Sequence, residues 1–179
     1  MSVFTKITHA ELAEFLRAYP VGELLGYTGI GEGVENTNYF VDTTDGRWVL
    51  TIFERLNYAD LPFFLGLMDH LAAHGLPSAK PARTHAGQNL VTLKGKPAAL
   101  VRRLHGQWEL FPNPAQAAQV GQVLGDLHVA GQSFALRCDN ARGTVWRTQT
   151  ASTLIAKADT EARALMQDEL RAQAELDLS

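Results

Sequence analysis

The sequence predicts an α+β chain: a five-stranded antiparallel sheet with one inserted helix, then a hinge, then helices alone. Three observations predict it. Asn38-Tyr39-Phe40-Val41 and Trp48-Val49-Leu50-Thr51-Ile52-Phe53 are aromatic and β-branched runs joined by Asp45-Gly46, a tight-turn pair that makes them a hairpin. Asn89 to Leu93 and Pro97 to Leu104 form a second hairpin around Lys94-Gly95. From Asn113 onward, apolar residues recur every three or four positions, the period of a helix.

Taken in order, Thr8-His9-Ala10-Glu11 has the spacing of a capping box, with Leu12, Phe15 and Leu16 on one face of the helix it opens. Pro20 ends that helix. Strands are expected over Leu24 to Ile30, Asn38 to Thr43 and Arg47 to Phe53. Asp60 begins a helix with Pro62 in its first turn, where the missing N–H costs little. Leu61, Phe64, Leu65, Met68, Leu71 and Ala72 form its apolar stripe, and Gly75 closes it. Pro77 and Pro81 stiffen the link to the second hairpin. Asn113 caps the next helix, with Pro114 at its first position. Ala117, Val120, Gly121, Leu124, Leu127 and His128 predict one buried side for it. Residues 131–147 read as irregular, and helix resumes near Thr150 with Leu154 and Ile155. A second stripe lies at Ala162, Leu165, Met166, Leu170 and Ala174. The expected division is a sheet lobe at 1–104, a hinge at 105–112 and the start of a helical lobe at 113–179.

The 179 residues, 46% hydrophobic and 20% charged, allow a sizeable core and argue against long disorder. A net charge of −3, with Arg102-Arg103 the only adjacent basic pair, argues against a nucleic-acid partner. The single Cys138 excludes an internal disulfide framework and suits a reducing compartment. Met1 to Lys6 lacks the apolar core of a signal peptide, and no apolar run approaches the roughly 20 residues of a membrane helix. A cytoplasmic protein with no membrane partner is expected. Oligomeric state is not legible.

The candidate chemistry lies in Gly29-Ile30-Gly31-Glu32-Gly33 and in the strand it leads into. Alternating glycines let backbone N–H groups approach phosphate oxygens. A dinucleotide-binding turn would enter a helix and meet an acidic residue further on. Here the chain enters a strand, which is how kinases cover ATP phosphates. The candidate binding residues are therefore Gly29, Gly31, Gly33, Asn36, Asn38, Thr51 and Arg102. Asn36 and Asn38 either touch the ligand or shape the loop through backbone hydrogen bonds. Thr51 stands where many kinases place a phosphate-binding lysine, and the helix from Asp60 to Ala73 lacks the glutamate that pairs with it. Arg55, Arg102 and Arg103 are the nearest substitute cations. Asp126, Asp139, Asp159 and Asp168 have no Asn or His at useful spacing, and Asp139-Asn140 reads as a turn. No residue is assigned a catalytic or metal-binding role.

Glu35-Asn36-Thr37-Asn38-Tyr39-Phe40-Val41 and Trp48 to Glu54 resemble the homoserine kinases of the aminoglycoside-phosphotransferase-like superfamily. The likeness continues through Leu61 to Met68, Gly95 to Val101, Val120-Gly121-x-x-Leu124-Gly125-x-Leu127-His128 and Gln167 to Leu170. The resemblance implies a protein-kinase-like fold, with ATP and Mg²⁺ as cofactors and L-homoserine as the small-molecule substrate. The γ-phosphoryl group would pass to the homoserine hydroxyl in the threonine branch of amino-acid biosynthesis. Choline, methylthioribose and aminoglycosides are acceptors elsewhere in the superfamily, and a non-catalytic nucleotide-binding module is the rival class. The family's His-Gly-Asp-x-x-x-x-Asn-like loop and later metal-binding Asp have no counterpart in this sequence, which reaches Leu176-Asp177-Leu178-Ser179 about where that loop would begin. An inactive fragment with uncovered apolar helix faces is the expectation.

Overall fold

A computed structural model describes residues 3–175, so Leu176 to Ser179 lie outside the described residues. The first helix, α1 (His9–Leu16), opens on the expected capping box. Thr8 Oγ1 accepts from the Glu11 N–H at 3.3 Å, and Glu11 Oε2 accepts from the Thr8 N–H at 2.8 Å. Caps of this kind contribute about 1 kcal/mol.

Five strands complete the sheet: β1 (Leu24–Gly29), β2 (Asn36–Thr43), β3 (Gly46–Phe53), β4 (Val91–Leu93) and β5 (Lys96–Arg102). They form one antiparallel sheet in the order β1-β2-β3-β5-β4. The helix α2 (Leu61–Ala73) is inserted between β3 and β4, as the sequence predicts. Asn36 and Thr37 already pair with Phe53 and Ile52, so β2 starts two residues before its aromatic run. β5 stops at Arg102 rather than Leu104.

Side chains alternate across the sheet and give it two unlike faces. Tyr39 and Val41 of β2, Leu50 and Ile52 of β3, and Ala98 and Leu100 of β5 pack against Leu12, Phe15 and Leu16 of α1. Each fully buried aliphatic side chain there contributes roughly 1.5–3 kcal/mol. On the other face, Leu61 and Leu65 of α2 pack on Ala99 and Phe53. The Asp60 carboxylate accepts from the Asn57 N–H at 3.1 Å and does not cap the α2 amides. Phe64, expected in the buried stripe, is exposed because Leu61 and Leu65 already fill the contact. Gly75 adopts φ +78° and lets Leu76 N–H return to Leu71 O at 3.1 Å, closing the helix.

The turn between β4 and β5 takes positive φ at both central residues, +52° at Lys94 and +76° at Gly95. That mirror-image turn matches the twist of the strands it joins. A methyl group at Gly95 would meet nothing within 4 Å, so only backbone strain opposes it. Gly95→Ala is expected to cost about 1 kcal/mol, read as a fall of a few degrees in the thermal midpoint.

The helix α3 (Pro114–Gly131) is capped by Asn113, which exchanges hydrogen bonds with Gln116. The expected burial of one side is not found. Among α3 residues only Ala130 is buried, while Val120, Leu124 and Val129 are more than half exposed. The last turn of the helix meets α2, where His70 Nε2 lies 2.9 Å from Ala130 O. Beyond that turn, Phe134 packs on Phe63 and His70.

The chain divides into two compact units, one to Leu136 and the other from Arg137. The second holds α4 (Thr144–Ile155) and α5 (Thr160–Glu175), which pack on each other. α4 begins six residues before the expected Thr150, inside the stretch that reads as irregular. Its Thr and Ser hydroxyls donate to carbonyls four residues back, at Thr144, Thr148 and Gln149, which satisfies polar groups a sequence pattern assigns to loops. Among the described residues, no helix is long and apolar enough to cross a membrane.

Candidate functional site

Residues 30–35 connect β1 to β2, and Asn36 to Thr43 leave this loop as extended strand. Ile30 N–H donates to Asn38 O at 2.9 Å, so the ladder runs past β1 to the base of the loop. Gly31 to Val34 are exposed.

The three glycines do three different things. A Cβ on Gly29 would lie 2.9 Å from Val3 Cγ2, so Gly29 admits the N-terminal segment rather than a ligand. A methyl at Gly31 would meet nothing within 4 Å. Gly33 holds φ +121°, which side chains resist.

Strand pairing sorts the remaining candidates. Asn38 pairs with Thr51, and Thr51 with Ala99, so all three share the α2 face of the sheet with Asn36. Thr51 Oγ1 donates to Asn38 Oδ1 at 2.8 Å, which fixes the orientation of that amide. Phe40, Val49 and Val101 continue the same face toward the end of β5. Arg102 is not brought to it. Arg102 pairs with Trp48, whose parity is that of the α1 core, and its guanidinium stacks on the Trp48 ring at 5.2 Å. Arg103 is the arginine on the Asn38 face, its guanidinium 4.0 Å from the centre of the Phe40 ring. The face thus runs from Val49 and the Phe40 ring, on which Arg103 stacks, through the Asn38–Thr51 pair, to the exposed residues of the glycine loop.

Sequence reasoning missed Thr37, Glu54 and Lys96. Thr37 is fully buried on the reverse side of β2, between the two asparagines. Its hydroxyl donates to Glu54 Oε1 at 2.6 Å, Thr5 Oγ1 donates to the same oxygen at 2.7 Å, and Lys96 pairs with Glu54 Oε2. Burial alone would raise the Glu54 carboxyl. The hydrogen bonds from Lys96, Thr37 and Thr5 outweigh it and hold the group below the usual 4.5. Its share of stability is therefore complete above that pH and is lost as pH falls through the folded value. Between pH 6 and pH 3 the thermal midpoint of the wild type should fall more steeply than that of Glu54→Gln.

Cavities of about 500 and 610 Å³ lie against α1, on the opposite side of the sheet. What marks the candidate site is an open, chemically graded face. Among the described residues, no group of three His, Cys, Asp or Glu side chains could hold a metal ion. Asn140 accepts from the Arg142 N–H at 3.0 Å and lies in a turn.

A glycine loop running into an antiparallel strand, in a sheet with one inserted helix, is the arrangement of kinase-like phosphotransferases. The chain belongs to the phosphotransferase enzyme family, whose profile matches residues 26–179. It is 51% identical over 147 residues to a homoserine kinase of Nitrobacter winogradskyi, covering 82% of this chain and 45% of that protein. It is 44% identical over 173 residues to a homoserine kinase of Polaromonas naphthalenivorans, covering 97% and 55%. The chain spans about half the length of these relatives. Spectinomycin phosphotransferase, solved with ADP and spectinomycin, superimposes with a TM-score of 0.63 at 14% identity, over 95% of this chain and 55% of that one. Amicoumacin kinase, solved with AMP-PNP and Ca²⁺, gives 0.64 at 12% identity, over 90% and 53%. These likenesses establish the kinase-like fold.

Proposed function

We propose that this chain is the nucleotide-binding portion of a cytoplasmic homoserine kinase, which uses ATP and Mg²⁺ to phosphorylate the hydroxyl of L-homoserine to O-phospho-L-homoserine. The sheet lobe runs through residue 104, residues 105–112 are the hinge, and 113–179 begin the helical lobe. The observation that carries the proposal is the exit of the glycine loop into β2 as extended strand, with Asn36 and Asn38 on the α2 face. Identities of 41–51% to homoserine kinases support the acceptor.

The residues present fit an adenine nucleotide. Val49 and the Arg103-stacked Phe40 ring offer a surface on which a base could stack, and open space lies over Gly31. Asn36, Asn38 and Thr51 would supply polar contacts between the two, with the glycine loop lying over the phosphates. Gly29 shapes the loop from behind. Mg²⁺ supplies charge neutralisation when bound. The described residues offer no carboxylate set for it, so no step is assigned to them.

Two measurements test the reading. Titrated with ATP and Mg²⁺, the 179-residue chain should bind nucleotide, yet release no ADP when homoserine is added. Joined to a segment carrying a His-Gly-Asp loop, it should turn over ATP with homoserine and not with choline. Turnover with choline alone would overturn the acceptor, and absence of nucleotide binding would overturn the site.

A further inference from the structure

We propose that Val3, Phe4 and Thr5 form a strap that fixes both ends of the glycine loop, and that Thr37, held by Glu54 and Lys96, is the positioning residue through which it acts. The inference rests on the reading of that loop as a phosphate cradle.

The strap touches the loop's two anchors. At the β1 end, Val3 occupies the space a side chain on Gly29 would need, 2.9 Å from its ideal Cβ. At the β2 end, the Phe4 and Thr5 N–H groups both donate to Thr37 Oγ1, at 2.9 and 3.0 Å. A hydroxyl has one proton and two lone pairs, so these two bonds and the donation to Glu54 saturate Thr37. The arrangement requires an acceptor at Glu54 Oε1, which an ionised carboxylate provides. Lys96 keeps it ionised, and its Nζ also donates to Thr5 Oγ1 at 2.8 Å. Tyr39 Oη adds a bond to Thr5 O at 2.9 Å from the same strand. Asn36 and Asn38 flank Thr37 and face the other way, so a twist of β2 at Thr37 turns both amides.

A strap that only stabilises the fold and one that positions the loop differ in what Thr37 variants do. Thr37→Val keeps the shape and deletes all three hydrogen bonds, whereas Thr37→Ser keeps them. With every variant held well below its thermal midpoint, Thr37→Val should raise amide exchange of residues 30–36 about tenfold. It should also weaken ATP binding in the presence of Mg²⁺ about tenfold. Thr37→Ser should restore both to within about twofold. Lys96→Met, at a half-exposed position, should move both readouts in the same direction by about threefold, which keeps the test open if Thr37→Val does not fold. Unchanged loop exchange and affinity in Thr37→Val, or in Lys96→Met where Thr37→Val is unfolded, would overturn the strap. If the wild type binds no nucleotide, the phosphate reading falls, and loop exchange alone then decides the strap.

Discussion

Gly31→Asp should abolish most nucleotide binding while leaving the fold intact. Gly31 is exposed, its φ lies outside the positive region, and a Cβ there meets nothing within 4 Å. A surface substitution of that kind shifts stability by no more than about 0.5 kcal/mol. The new carboxylate would stand in the proposed path of the phosphates. Two like charges about 4 Å apart near a protein surface repel by up to about 4 kcal/mol, and screening lowers this. A loss of about 30- to 1,000-fold in ATP affinity is expected by titration, with an unchanged thermal midpoint. Gly31→Ala, which adds bulk without charge, should lose far less. Gly33→Ala should behave oppositely, costing stability of about 1 kcal/mol through its φ of +121°. Equal affinity for wild type and Gly31→Asp would place the phosphates elsewhere.

Leu50→Ala should give the largest loss of stability, about 2–5 kcal/mol. Leu50 is fully buried at the centre of β3, paired with Tyr39 on one side and Leu100 on the other, and faces α1. Its neighbours come from both flanking strands and the helix, so the cavity cannot collapse without separating layers. In a domain of this size such a loss lowers the thermal midpoint by roughly 5–20 °C. Leu50→Met, which conserves volume, should cost under about 1.5 kcal/mol. A midpoint for Leu50→Ala within about 2 °C of wild type would mean the sheet does not pack as described.

Much of the fold is legible in the sequence because its signals are local. Thr8-x-x-Glu11 and Asn113-Pro114 carry their own capping partners, and Asp45-Gly46 sits between two runs that can only be strands. The helical stripe of α3 is also legible, but its expected burial is not found. A period of three and four residues says that a face is apolar and cannot say what covers it. α4 is longer than its apolar pattern indicates, and its Thr and Ser hydroxyls find partners within the helix, which no such pattern reports. Arg102 and Arg103 are neighbours in sequence, and only the pairing of Trp48 with Arg102 decides that Arg103 is the one facing Asn38. One residue of register moves a side chain to the opposite face.

The order of elements, the glycine loop and its exit into a strand can be read from the chain alone, since each depends on residues within a few positions of one another. Which face of the sheet each candidate occupies, and what backs the loop, depends on how the folded strands pair. Thr37 meets Phe4, Thr5 and Glu54, and Lys96 closes the group from 91 residues beyond Thr5. Contacts at that separation exist only once the strands have paired, so no spacing in the chain announces them.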